Sequence, residues 1–246
     1  MHIYQIIIEY DGTNYVGWQK QKNGKSIQET IEKVLKKLLK RKIILYGAGR
    51  TDTGVHAIAQ SAHFSLPNVI QNLDSLLKSL NFFLKRKNIV IISIKKKNKF
   101  FHARFSAKKR VYKYVITNRF ADAVLDNNRS WHIRNLLNIK LLKEGGKILE
   151  KTRDFSMFRS SSCGAKSPIR NLNFVKIKKE KDKIIIFFQS KSFLQQQVRS
   201  MVGCLKYIGE KKWDIKKFKK LINLKKRSNC APPAPPQGLF LQKVIY

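Results

Sequence analysis

Residues 47–57 read Gly47-Ala48-Gly49-Arg50-Thr51-Asp52-Thr53-Gly54-Val55-His56-Ala57, the densest cluster of unusual residues in the chain. Three glycines within eight residues permit backbone shapes closed to other residues and let a ligand approach the main chain. The apolar runs on either side, Ile43 to Tyr46 and Val55 to Leu66, predict two strands joined by this turn. No Gly-Lys-Ser/Thr follows, so it is not a Walker phosphate loop, and the third glycine of a dinucleotide fingerprint would fall at Asp52. One carboxylate beside one guanidinium remains. Two readings stand at this point: Arg50 and Asp52 form a structural pair that fixes the turn, or Asp52 is a nucleophilic or acid/base carboxylate held by its arginine. A cation beside an aspartate favours the ionised form, which suits a nucleophile better than a general acid.

Outward from that turn, Ile3 to Tyr10 is a strand that runs into the turn Asp11-Gly12. Ser26-Ile27-Gln28-Glu29 predicts a capping box. Behind it Ile27, Ile31, Val34, Leu35, Leu38 and Leu39 form one apolar stripe at helical spacing. A helix over Asn68 to Leu84 and a strand over Ile89 to Ile94 complete a β-α-β-β-α-β unit ending near Ala107. The second half has a similar rhythm. Val111 to Thr117 is a strand with Tyr112 and Tyr114 on one face. Leu136 to Lys151 reads as a helix weakened by Gly145-Gly146. Leu172 to Ile177 and Ile184 to Gln189 read as a hairpin across the charged loop Lys178 to Lys183. Leu194, Val198, Met201, Val202, Leu205 and Ile208 mark another helical stripe, on which Arg199 follows Gln196 and Gln195 at helical spacing. Asp214 caps a helix through Leu221, and Leu239 to Ile245 is a last strand. The expected class is α/β (α+β): two related subdomains, 1–107 and 108–246, with mixed, mainly antiparallel sheets flanked by helices and the active-site cleft between them.

The chain has 246 residues with 52 Lys or Arg against 15 Asp or Glu, a formal charge of +37. A charge this large draws polyanions, nucleic acid first and an anionic membrane surface second. It is spread over both halves, so no basic tail accounts for it. The excess of Lys over Arg, with abundant Ile and Asn, is what A/T-rich codons produce, and part of it is solvated surface. An apolar share of 43% fills a core, and no run approaches the ~18 apolar residues of a membrane span. The first residues lack the basic lead of a secretory signal. Cys163, Cys204 and Cys230 are odd in number and without a Cys-x-x-Cys pair, which disfavours a disulfide scaffold and a zinc site. A cytoplasmic protein is expected. His2, His56, His63, His102 and His132 do not fall in a metal-binding spacing. Tyr112 and Tyr114, after Lys108-Lys109-Arg110, are either core strand residues or a platform for an exposed base. The turn Asp11 to Gln19 carries no unique chemical meaning. The tract Ala231 to Pro236 reads as a rigid lead into the last strand.

Taken together, these segments resemble tRNA pseudouridine synthase A, the TruA family. The resemblance runs through Glu9-Tyr10-Asp11-Gly12-Thr13, Gly17-Trp18-Gln19, Gly49-Arg50-Thr51-Asp52 with Gly54-Val55-His56-Ala57, and Phe101-His102-Ala103-Arg104-Phe105-Ser106-Ala107. It continues through Arg110-Val111-Tyr112-Lys113-Tyr114, Asp154-Phe155 with Phe158-Arg159, and Cys163 to Arg170. It closes with Phe193-Leu194, Val198-Arg199, Gly203, and Ala234-Pro235-Pro236 with Gly238-Leu239. The resemblance implies a pseudouridine synthase fold and an isomerase that converts uridine to pseudouridine in the anticodon stem-loop of tRNA, around positions 38 to 40. It implies that Asp52 is the catalytic nucleophile and Arg50 the arginine beside it. Arg199 matches the arginine that pairs with the carboxylate or assists base extrusion, and Tyr112 the tyrosine that stacks on the uracil. It further implies a homodimer with tRNA lying across both subunits, and neither metal nor small-molecule cofactor. Thr53 departs from the pattern, since Ala is commoner there. The alternative that the charge alone supports is a non-catalytic basic RNA-binding protein.

Overall fold

The computed structural model describes residues 1–246, and the chain divides into two compact units, Met1–Lys108 with Phe240–Tyr246, and Lys109–Leu239. The elements of the first stretch are β1 (His2–Tyr10), α1 (Ile27–Leu39), β2 (Tyr46–Gly47), β3 (His56–Leu66), α2 (Leu73–Leu84) and β4 (Ile89–Lys97). Then come β5 (Lys109–Asn118), β6 (Trp131–Ile133), α3 (Ile139–Leu149), β7 (Thr152–Asp154), β8 (Ile169–Glu180), β9 (Lys183–Ser190), α4 (Gln197–Gly209), α5 (Ile215–Asn223) and β10 (Leu239–Ile245).

In the first unit β1 is the central strand, antiparallel to β4 on one side and to β3 on the other. β2 adds antiparallel to β3, and β10 joins β3 in parallel through Phe240 and Leu241. The last strand therefore belongs to the first unit, whereas continuity along the sequence had grouped it with the second. Tyr246 seals that return: its hydroxyl donates to the Ala103 carbonyl (2.9 Å) and shares a 2.7 Å hydrogen bond with Ser61 Oγ. Strand β1 buries Tyr4, Ile6, Ile8 and Tyr10, and α1 lays Ile27, Ile31, Val34 and Leu35 into the core along its predicted stripe. Ser26 caps that helix by accepting from Glu29 N (3.2 Å). The reciprocal half of the capping box is not made, because the Glu29 carboxylate pairs with Lys33 at 3.1 Å instead.

Two elements are shorter than their apolar patterns predict. Ile43 and Leu45 are buried, but Leu45 N donates to the Glu32 carboxylate (2.9 Å) and the Leu45 carbonyl accepts from Gln28 Nε2 (3.0 Å). Side chains of α1 thus satisfy the main-chain groups a sheet partner would have taken, and the strand shrinks to Tyr46–Gly47. Helix α2 begins only after Asn72, whose side chain caps Ser75 N (2.8 Å).

The second unit is a sheet ordered β6-β5-β9-β8-β7. Its pairs are antiparallel except β5 with β6. The hairpin turn between β8 and β9 contains only Lys181 and Asp182, with Lys181 at φ 54°, so most of the predicted charged loop is strand. The two glycines of α3 are packing sites. A Cβ at Gly145 would lie 2.9 Å from Ile208 of α4, and one at Gly146 would lie 3.2 Å from Val175 of β8. The helix is seated closely between helix and sheet because those positions lack side chains. Both units combine helices with mainly antiparallel sheet, an α/β (α+β) class. No helix is long and apolar enough to cross a membrane.

Candidate active site

The loop that carries Asp52 rests on the early turn, to which sequence reasoning gave no chemical meaning. Thr51 is its anchor: the carbonyl accepts from Trp18 N (3.1 Å), and Oγ1 shares a 2.8 Å hydrogen bond with the buried Tyr10 hydroxyl. Past Asp52, Gly54 N donates to the Tyr15 carbonyl (3.3 Å), and Val55 N closes the turn on the Asp52 carbonyl (3.2 Å). Thr53 Oγ1 donates to the Val16 carbonyl at 3.1 Å. This hydroxyl therefore adds a further tie between the two loops. On the N-terminal side Gln60, fully buried, donates through Nε2 to the Gly49 carbonyl (2.8 Å), and Ala48 N donates to the Ser61 carbonyl (2.7 Å).

Glycine is required in the early turn because the two backbones touch. A Cβ on Gly12 would fall 2.1 Å from the Val55 carbonyl oxygen. Gly17, at φ +107°, would place one 2.5 Å from the Thr51 carbonyl oxygen. The same turn also starts α1: Ile27 N donates to the Gly17 carbonyl and Gln28 N to the Trp18 carbonyl, at 3.1 and 3.0 Å. Two of the helix's orphan N–H groups are satisfied there. Trp18 is buried, its indole against Gly47 and 6.2 Å from the Tyr10 ring. His56 Nδ1 accepts from Gly12 N (3.0 Å), and its ring stacks on Phe240 at 4.8 Å. The aspartate is thus held on a frame of backbone contacts, half-buried, while Arg50 two residues earlier is exposed.

Tyr112 and Arg199 belong to the second unit. Tyr112 and Tyr114 occupy one face of β5. Tyr114 is wholly core: its hydroxyl donates to the Pro235 carbonyl (2.8 Å), its ring packs on Gly238, and burial pushes its pKa up. Tyr112, also buried, meets Phe193 edge-on at 5.1 Å. The helix expected to carry Gln195 and Gln196 beside Arg199 starts later. Gln196 has φ 60°, and the buried Gln197 turns its Oε1 back to accept from Leu194 N (2.8 Å). Those glutamines lie on the approach to α4, outside its helical face. Arg199 is fixed by the proline tract: Nε donates to the Ala234 carbonyl (2.7 Å), and the Arg199 carbonyl accepts from Ala234 N (2.9 Å). Close beside it, a Cβ on Gly203 would lie 2.1 Å from the Pro232 carbonyl oxygen. The tract is a strap across α4 that aims one guanidinium. Proline composition signalled stiffness, but not that helix as its seat.

His63 and His102 form a separate aromatic cluster with Tyr46 and Phe101. His63 Nδ1 accepts from Ala103 N (3.1 Å). Burial, helped by charge at His102, draws its pKa down to about 4. No group of three or more His, Cys, Asp or Glu side chains is arranged to hold a metal ion.

Comparison with known proteins places these features. A family model described as tRNA pseudouridine synthase matches residues 6–106 and 147–246. The chain is 58% identical over 246 residues to tRNA pseudouridine synthase A of Pelagibacter ubique (strain HTCC1062), covering 100% of both. It is 42% identical over 243 residues to the protein of that name from Neorickettsia sennetsu (strain ATCC VR-367 / Miyayama), covering 99% of each. A third, from Parvibaculum lavamentivorans (strain DS-1 / DSM 13023 / NCIMB 13966), is 38% identical over 243 residues, covering 99% of this chain and 98% of its own. Carrying the Asp52 loop and the strapped Arg199 within that full-length similarity, the chain belongs to the tRNA pseudouridine synthase A family of isomerases.

Proposed function

We propose that this enzyme isomerises uridine to pseudouridine in the anticodon stem-loop of tRNA, around positions 38 to 40, with Asp52 as nucleophile. The observation that carries the reading is the frame around Asp52. Hydrogen bonds from Tyr10, Trp18, Thr53, Gly54 and Gln60 fix the backbone before and after it. A carboxylate held in one place before substrate arrives has already lost the freedom that a flexible one would lose on reaction. Asp52 attacks the nucleotide at sugar C1′ or base C6. The N1–C1′ bond breaks, the uracil turns, and a C5–C1′ bond forms. The C5 proton leaves and N1 gains one, so no atom is added and no electron is transferred.

The uridine must leave its stack to be reached, at a cost of a few kcal/mol. Tyr112, backed by Phe193, receives the uracil face. Arg50, exposed on the turn, and Arg199, oriented by Ala234, bind the displaced nucleotide. The formal charge of +37 supplies long-range attraction for tRNA. By resemblance the enzyme works as a cytoplasmic homodimer. Sedimentation at several concentrations checks the dimer.

The test is release of tritium from tRNA labelled at uracil C5. The wild-type chain releases it, with label at the anticodon stem-loop positions, and Asp52→Ala releases none while still retaining tRNA on a filter. Turnover by Asp52→Ala at the wild-type rate would remove Asp52 from the nucleophile's role. Salt-sensitive binding without release by the wild-type chain from any tRNA would favour the non-catalytic RNA binder.

A further inference from the structure

The second unit brings two of the three thiols together, a pairing their sequence positions gave no reason to expect. Cys204 is fully buried in α4, and its Sγ lies 3.5 Å from Sγ of Cys230, which is half-buried and follows the 3-10 turn Arg227–Asn229. The surroundings of the two sulfurs differ. Cys230 Sγ also donates to the Ser200 carbonyl (3.9 Å), and Arg227 reaches Ser200 Oγ at 3.0 Å from the same side. The hydrogen bond with Cys204 and the nearby Arg227 charge hold the Cys230 thiol below the ordinary range. The same hydrogen bond, with burial, pushes the Cys204 thiol up. Cys230 is the partly exposed member of the pair and the one inclined to the thiolate, and Cys204, fully enclosed, lies within van der Waals reach of it. That is the order a two-step oxidation requires.

We propose that Cys204 and Cys230 form a reversible oxidative modification site, in which a hydroperoxide oxidises Cys230 and Cys204 resolves the product to a disulfide. The Cys230 thiolate attacks the terminal oxygen of the hydroperoxide. The O–O bond breaks, the alcohol (or water) leaves, and Cys230 becomes a sulfenic acid. Cys204 sulfur then attacks Cys230 sulfur, the S–O bond breaks, and hydroxide departs with the Cys204 proton as water. Two thiols give up two electrons and two protons, which the peroxide receives. A dithiol reductant reverses the bond by exchange.

Reaching a disulfide from 3.5 Å requires about 1.5 Å of closure. Cys204 is fixed within a helix, so the movable partner is Cys230, in non-repetitive backbone immediately before the strap. Residues 232 and 234 of that strap bear on Gly203 and Arg199. Closing the disulfide pulls the strap at its origin and shifts the Arg199 guanidinium. This last step rests on the substrate-binding role given to Arg199, while the modification itself does not.

The experiment treats the full chain with a stoichiometric amount of hydrogen peroxide. Thiols are then counted in denaturant, and cross-linked peptides are mapped by mass. Two of three thiols should disappear, a Cys204–Cys230 peptide should appear, and dithiothreitol should restore both. Cys163→Ser should still form the link, and Cys230→Ser should not. Retention of all three thiols, arrest at a Cys230 oxyacid, or loss of Cys163 first would overturn the site. None of these readouts depends on activity, so failure of the pseudouridine reading leaves them intact. With tRNA, kcat/KM should fall roughly tenfold or more on oxidation and recover on reduction, as a ~1 Å misplacement of a binding group predicts. Formation of the disulfide with unchanged kcat/KM would overturn the coupling to Arg199.

Discussion

Gly17→Ala tests whether the early turn supports the Asp52 loop or merely lies near it. The methyl group meets two separate obstacles. At φ +107° the backbone is in a region that L side chains rarely adopt, a penalty of about 1–2 kcal/mol. The added carbon would also stand 2.5 Å from the Thr51 carbonyl oxygen, 3.1 Å from the Asp52 carbonyl carbon and 3.3 Å from Thr53 N. All three are main-chain atoms, so no flexible side chain can move aside. Overpacking of this kind costs about 1–3 kcal/mol. The combined loss is about 2–5 kcal/mol, a large share of the ~5–15 kcal/mol typical of a domain. Relief by moving the loop displaces Asp52 itself, and a displacement near 1 Å lowers the chemical rate by up to about 100-fold. Urea unfolding followed by tryptophan fluorescence measures the first effect. Single-turnover pseudouridine formation at saturating enzyme measures the second. Gly164→Ala is the matched control, since its Cβ meets nothing within 4 Å and its φ is not in the positive range. If Gly17→Ala stays within about 0.5 kcal/mol of wild type and turns over at the wild-type rate, the proposed support is wrong.

Two further predictions concern stability. His63 is held neutral with its pKa drawn down to about 4, against an ordinary 6.5, so on acidification the unfolded chain takes up this proton first. Its contribution is fully present above about pH 6.5 and is lost as pH falls towards 4. From pH 7 to pH 5 that loss is about 2 kcal/mol. Urea titrations should show His63→Asn losing about 2 kcal/mol less than wild type over this interval, and identical losses would refute the assignment. Asn118 is buried, donates to the carbonyls of Ile133 and Asn135 (2.8 Å each), and accepts from Leu137 N (2.9 Å). Asn118→Ala strands three main-chain groups and should cost about 3 kcal/mol or more. A loss below about 1 kcal/mol in the same titration would show that other partners replace the amide.

The strand and helix patterns were readable where one physical rule acted alone. The Ile- and Tyr-rich run Ile3 to Tyr10 that ends at Asp11-Gly12, the stripe behind Ser26 and the cap at Asp214 correspond to β1, α1 and α5. Reading failed where a distant group completed the local one. Ile43 to Tyr46 has a strand's composition, but Glu32 and Gln28 supply its hydrogen bonds. Gln195 and Gln196 have helical spacing to Arg199, but positive φ at Gln196 makes the helix begin only after them. The three-residue strands β6 and β7 were missed because so short a run has no measurable period. Phe240–Tyr246 crossed to the first unit because Ser61, His56 and Ala103 await it there, and no periodicity within the last strand can report that.

The candidate site shows the same division. Asp52 stood out by its setting among glycines, and Arg50 beside it was equally visible. The groups that hold Asp52 were not, because each looks ordinary alone: a tyrosine at the end of a strand, two glycines in a turn, a glutamine within a strand. Their function appears only in pairs, such as Tyr10 with Thr51, 41 positions apart, or Gly12 with Val55. The family blocks quoted from the sequence make physical sense on that basis. Glu9 to Thr13 and Gly17 to Gln19 match the family alongside Gly49 to Ala57 because they are the other side of the same contact. Ala234 to Gly238 matches alongside Arg199 and Tyr114 for the same reason, since its carbonyls hold the guanidinium and the phenol. A substitution in either supporting block should therefore act on its partner's geometry as well as on global stability. The strap's two carbonyls and the early turn's two glycines are where both effects can be measured.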